Sequence, residues 1–224
     1  MRKALAFAVV IVSAALTISS CRLAAPEPVL DHDFPDPVVL RADDGFYYAY
    51  GTQGYGEDGE GLLNIQIARS KDLVTWTHLG DAMPAKPAWS SKTQKFWAPH
   101  VALVGARYVM YFSGEPDTTV PGLCLGIAVS STPTGPFVPE SNPLLCGKGF
   151  ENIDPMLFDD PVSGKILLYW GSGFAPLRVR EMTADGLAFA PGSKATDVLS
   201  PRVAADPSDY MRLIEGAWVE YRAH

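Results

Sequence analysis

Residues 36–51 read DPVVLRADDGFYYAYG, and how this stretch is read decides the fold. The β-branched and apolar run Val38, Val39, Leu40 meets the turn-forming Asp43-Asp44-Gly45 and continues into an aromatic run at residues 46–50. That is the pattern of a β-hairpin closed by a tight turn. The unit recurs. Ala98-Pro99-His100-Val101-Ala102-Leu103 passes through Gly105 into residues 108–114, and Asp154-Pro155-Met156-Leu157-Phe158 passes through Ser163-Gly164 into residues 166–171. Glu215-Gly216-Ala217-Trp218-Val219-Glu220-Tyr221 opens a fourth copy.

Copies follow one another at intervals of roughly sixty residues, the size of a propeller blade. The first strand of each blade lines the central axis, so equivalent positions converge at one end of the channel. Three of the four equivalent positions hold carboxylates: Asp36, Asp154 and Glu215. An isolated Asp-Pro is ordinary turn punctuation, and Asp33, outside the repeat position, is read that way. Three carboxylates in repeat register are expected instead to gather around one pocket. Glu220, further along the last copy, is read as structural.

Composition agrees with an all-β chain. The 20 Gly and 19 Pro supply turns and leave little room for long helices, while an apolar share of 47% is enough for a sizeable core. The formal charge of −7 excludes a nucleic-acid partner, since no Lys/Arg run is present to neutralise phosphates. Arg2 and Lys3 precede an apolar run over residues 4–16 that is too short to span a bilayer. Ile18-Ser19-Ser20-Cys21 then resembles a lipobox. Residues 1–20 are therefore expected to be a signal peptide, and 21–30 a lipidated N-terminus and linker. The expected location is the bacterial cell envelope, anchored through Cys21 or secreted, with no membrane contact beyond the lipid. Of the other cysteines, Cys124 and Cys146 either pair as a disulfide or stand as separate thiols. The four His are scattered and no metal-ligand spacing is visible, so no metal site and no cofactor are expected.

Six segments in order carry a family resemblance: FPDPVVLRADDGFYYAYGT (34–52), IARSKDLVTWTHLGDAM (67–83), FWAPHV (96–101), IAVSSTPTGPF (127–137), NIDPMLF (152–158) and LIEGAW (213–218). Together they resemble glycoside hydrolase family 43, over residues 29–221. The resemblance implies a five-bladed β-propeller acting on arabinose- or xylose-containing polysaccharides, with carbohydrate as the partner. At roughly sixty residues per blade, such a ring needs on the order of a hundred further residues. The expectation for residues 31–224 is thus a partial, C-terminally truncated propeller of about three blades plus the first strand of a fourth. A structural calcium bound through a later blade would fall beyond residue 224.

Carried over residue by residue, the resemblance makes Asp36 the general base, Glu215 the general acid and Asp154 the carboxylate that tunes the acid. Direct displacement by water needs the acid and base about 6.5–9.5 Å apart and inverts the anomeric carbon. The acid must keep its proton near neutral pH, and a nearby Asp154 charge is expected to raise it. Trp97 is a candidate for stacking on a sugar face, and Phe34, Trp170, Ser172 and Phe174 are candidates for the pocket rim. Trp76 and Trp89 are assigned to blade core or surface loop, and His100 stands where the family often has an acid. The rival to the enzyme reading is a catalytically inactive propeller lipoprotein that binds glycans. A retaining fructosidase-type propeller is disfavoured, because no NDPNG-like nucleophile segment surrounds Asp36.

Overall fold

Gly45 adopts φ +82°, a conformation open to glycine, and the Asp44 carboxylate accepts the Phe46 N–H (3.0 Å) and the Tyr48 hydroxyl (2.7 Å). Together they close the hairpin between β1 (Val38–Arg41) and β2 (Tyr47–Gly51), which pair from Val38 opposite Tyr50 to Arg41 opposite Tyr47. The computed structural model describes residues 28–223, apart from 57, 58, 60, 119–121 and 204–205. The expected signal peptide, Cys21 and most of the 21–30 linker lie outside the described residues.

The chain continues through a two-stranded ribbon of β3 (Gly54–Tyr55) and β4 (Leu62–Leu63) into β5 (Gln66–Ser70) and β6 (Trp76–Asp81). The order β1-β2-β5-β6 makes the first antiparallel sheet. The second uses β7 (Phe96–Val104), β8 (Arg107–Gly114), β9 (Cys124–Ser130) and β10 (Val138–Pro139), with β11 (Leu145–Cys146) also paired to β9. The third is β12 (Met156–Asp160), β13 (Lys165–Trp170), β14 (Leu177–Glu181) and β15 (Thr196–Leu199) in sequential order. The described residues contain no α-helix. The three sheets are blades of a β-propeller, with β1, β7 and β12 as their inner strands. β7 lies against both β1 and β12.

Two cores cement the three blades. The first joins Tyr48, Tyr50, Ile65 and Ile67 of blade one to Phe96, Tyr108, Met110 and Phe112 of blade two. The second joins Val109, Tyr111, Leu125 and Ile127 of blade two to Leu157, Leu168 and Trp170 of blade three. Strand β8 therefore sends alternate side chains into different cores, as its period of two requires. Within blade two, packing beside this core is close enough that a Cβ on Gly126 of β9 would lie 2.3 Å from the Phe112 ring of β8, on which Trp89 also stacks. Polar ties join blades one and two at the head of β7. The Phe96 N–H donates to the Gln53 side-chain carbonyl, and the Gln53 N–H donates to the Phe96 carbonyl, both at 3.0 Å.

The expected first strand of a fourth blade does not form. Residues 213–223 form no ladder among the described residues, and the Ile214 N–H donates to the Gly173 carbonyl at 3.2 Å. The cysteine alternatives resolve to a disulfide. Cys124 and Cys146 face each other across β9 and β11, are bonded, and close a loop with a sequence separation of 22. Replacing both by alanine is expected to lower the unfolding free energy by about 3 kcal/mol, since the open chain regains loop entropy. Urea unfolding followed by near-UV circular dichroism, with and without dithiothreitol, checks this. An unchanged midpoint refutes it.

Candidate active site

Asp36, Ala98 and Asp154 occupy the same place in successive blades, and all three adopt a left-handed backbone, with φ of 51°, 44° and 51°. Each precedes a proline, which disfavours the right-handed helical region for the residue before it. Such conformations cost on the order of 1–3 kcal/mol each and persist only where the surroundings impose them. Asp and Asn tolerate them better than most residues; Ala98 has no polar side chain to help. Asp36 and Asp154 sit just before β1 and β12, outside the ladders, and Ala98 sits at the irregularity in β7 between Trp97 and His100. Freed from the pleat, these positions face the axis.

The three carboxylates line one open cavity of about 750 Å³, together with Trp97, Phe150, Phe174 and Tyr210. Asp36 is exposed, and its Oδ2 accepts the Thr52 hydroxyl at 2.5 Å. Asp154 is held from both ends. Its N–H donates to the Ser113 hydroxyl oxygen (3.1 Å), and its Oδ2 accepts the Gly216 N–H (2.9 Å). That second bond places Glu215 beside it. A smaller cavity of about 190 Å³ shares Asp36 and Asp154 and is lined by the Asp-Pro and Ala-Pro steps, His100 and Trp218. Burial pushes the His100 imidazole down to about 4, which leaves it neutral at pH 7. Among the described residues, no group of three or more His, Cys, Asp or Glu is placed to hold a metal ion.

The electrostatics depart from expectation in direction. Burial raises the Asp154 carboxyl to about 7, with the charges of Glu215 and then Asp36 adding to the effect and the Gly216 N–H opposing it. Glu215 is also raised, by burial and by the Asp36 charge. Glu215 therefore ionises first and its charge falls on Asp154, rather than the reverse, because Asp154 is the more buried of the two. The cluster keeps a proton close to neutral pH.

Of the residues predicted for the rim, Trp97, Ser172 and Phe174 line the large cavity. Ser172 reaches it from a buried position, its hydroxyl bonded to backbone carbonyls including that of Ile214 (2.8 Å). Phe34 and Trp170 do not line it. Trp170 is 1% exposed, packed in the second core with its indole N–H on Asn152. Phe34 is wedged against Gly51, where a Cβ would lie 2.8 Å from its ring, and meets His78 edge-on. The cavity instead gains Phe150, which stacks on Trp97 with centroids 6.2 Å apart and planes 15° apart. Phe150 lies outside the repeat, and only its place four residues before Asp154 hints at it.

Residues 25–223 match the family described as Glycosyl hydrolases family 43. Xylosidase/arabinosidase 43A of Humicola insolens is 30% identical over 166 residues, which cover 58% of this chain and 48% of that protein. A xylosidase/arabinosidase of Bacteroides ovatus is 32% identical over 129 residues, covering 57% and 37%. The chain thus spans about half or less of the length of these relatives. Among solved structures, CoXyl43, a β-xylosidase/α-arabinofuranosidase from a compost metagenome crystallised with xylotriose, superposes with a TM-score of 0.61. It is 24% identical, and the match covers 75% of this chain and 60% of that one. An endo-arabinase of Bacteroides thetaiotaomicron gives a TM-score of 0.59 at 22% identity, over 72% and 55%. The architecture is that of the five-bladed propellers, of which the described residues supply three blades.

The raised Asp154 carboxyl has a consequence for stability. A carboxyl whose folded pKa lies above its unfolded value favours folding at low pH, and this contribution is lost as the pH rises from about 4 through about 7. Asp154→Asn keeps an acceptor for Gly216 but removes the ionisation. It is expected to be more stable than the parent at pH 8 by about 2 kcal/mol, after allowing for the partial exposure of the site, with the gap closed at pH 4. Thermal melts at pH 4, 6 and 8 measure it; a difference independent of pH would sink the assignment.

Proposed function

The chain belongs to glycosyl hydrolases family 43, and from that premise we propose that it hydrolyses xylose- or arabinose-containing plant cell-wall glycans with inversion at the anomeric carbon. The observation that carries the proposal is the convergence of Asp36, Asp154 and Glu215, from three repeat positions, on one cavity with aromatic walls. Relatives named as xylosidase/arabinosidase and as endo-α-(1→5)-L-arabinanase support the substrate class.

In this reading Asp36 is the general base. It is exposed in the cavity, with Oδ2 held by Thr52 and Oδ1 available to take a proton from water. Glu215, also exposed and with its carboxyl raised by burial and by the Asp36 charge, is the general acid that protonates the leaving oxygen. A sugar seated against Trp97 and Phe150 displaces water, which raises Glu215 further. Asp154 orients the acid through its bond to the Gly216 N–H, and the proton that the cluster retains near pH 7 passes from Asp154 to Glu215 as the bound sugar raises the latter. Water then attacks from the Asp36 face while the acid serves the opposite face, the geometry that inverts configuration. Export to the bacterial envelope and anchoring through a diacylated Cys21 are part of the same proposal, and the Cys124–Cys146 disulfide supports it, since such bonds persist in oxidising compartments.

Asp36→Asn and Glu215→Gln are each expected to lower kcat on nitrophenyl xylosides and arabinofuranosides by roughly 10²- to 10⁴-fold. Proton NMR of the first-formed sugar is expected to show the inverted anomer. Undiminished turnover in both variants overturns the site, and a retained anomer overturns the mechanism. Binding of xylo- or arabino-oligosaccharides with no turnover by the parent chain favours the glycan-binding rival.

A further inference from the structure

Thr52 follows β2 at the end of the first hairpin and is 8% exposed. Each of its polar groups is engaged. Its N–H donates to the Pro35 carbonyl (2.9 Å), and its carbonyl accepts the Gln66 side-chain amide (2.8 Å). Its Oγ1 accepts the Ala98 N–H at 2.8 Å and lies 2.5 Å from Asp36 Oδ2. These bonds remove any choice of hydroxyl orientation. A backbone N–H can only donate, so the lone pair of Oγ1 faces Ala98 and the single hydroxyl proton is left for the carboxylate.

We propose that Thr52 is the positioning residue of the general base: held by the Ala98 N–H, its hydroxyl commits Asp36 Oδ2 to accepting, and leaves Oδ1 as the atom that takes the proton of the attacking water. This rests on the reading of Asp36 as base given above. The bond singles out Oδ2 as the acceptor, and Oδ1 has no hydrogen-bond partner among the described residues. The same device recurs one blade further on, where the Ser113 hydroxyl, at the end of β8, accepts the N–H of Asp154. A hydroxyl at the end of one blade's second strand thus grips the left-handed residue that starts the next blade. At Thr52 it also grips the carboxylate of its own blade.

Positioning is separated from mere structure by four variants of the full chain, assayed on nitrophenyl glycosides. Thr52→Val keeps the shape and removes the hydroxyl. It is expected to lower kcat roughly tenfold to a hundredfold with KM little changed, the loss that a misplaced catalytic group produces. Thr52→Ser, which keeps the hydroxyl, is expected to restore most of the turnover. In an Asp36→Asn background, Thr52→Val is expected to add no further loss, since the group it positions is already gone. A folded Thr52→Val enzyme with parental kcat overturns the proposal, as does a loss of equal size in the Asp36→Asn background. If the valine variant does not fold, Thr52→Ala, with no methyl set against the carboxylate, carries the same comparison. Turnover surviving Asp36→Asn itself would overturn the base assignment, which is a separate failure.

Discussion

The middle sheet of this protein is buried on both faces, and the rest of the structure depends on that constraint. Tyr108, Met110 and Phe112 enter one core, while Val109 and Tyr111 enter the other. Each large apolar side chain so buried contributes about 1.5–3 kcal/mol. A sheet gripped on both sides cannot turn relative to either neighbour without opening a void. The inner strands β1, β7 and β12 are therefore held side by side, and the residues at their heads are brought to a common axis.

That convergence has opposing costs. The left-handed backbone at Asp36, Ala98 and Asp154 is strained, and three carboxylates around one cavity repel one another. Neither would persist in an isolated hairpin. Both are sustained because the blade cores and the polar ties between blades over-determine the local geometry. Strain and raised protonation are concentrated at the one cavity, and functional sites are where such perturbed groups cluster.

Much of this was legible in the sequence, because a repeat is a global signal carried by local residues. The hairpins follow from β-branched and aromatic runs around Asp43-Asp44-Gly45 and Ser163-Gly164, and the register of the copies singles out Asp36, Asp154 and Glu215. The errors have physical sources. Trp170 was expected at the rim, but it shares strand parity with the buried Leu168 and so had to enter the same core. Phe34 packs on Gly51, a contact between distant residues that leaves no mark in either segment. The direction of the Asp154–Glu215 coupling depends on relative burial, which composition does not encode. Phe150 and Thr52 act across blade boundaries, where sequence periodicity is silent. The last repeat copy carries the apolar pattern of a strand but forms no ladder among the described residues.

The ties at the head of β7 also have a mechanical meaning. Phe96 and Gln53 exchange two hydrogen bonds, and Ala98 is fastened to Thr52, so three bonds cross from blade two to the end of β2. Packed elements usually respond to ligands by small sliding motions along their interface. Here sliding would have to break a bond to the same hydroxyl that holds Asp36. The first two blades are therefore coupled in shear, and the place of Asp36 in the cavity is tied to that of Ala98 in the neighbouring blade.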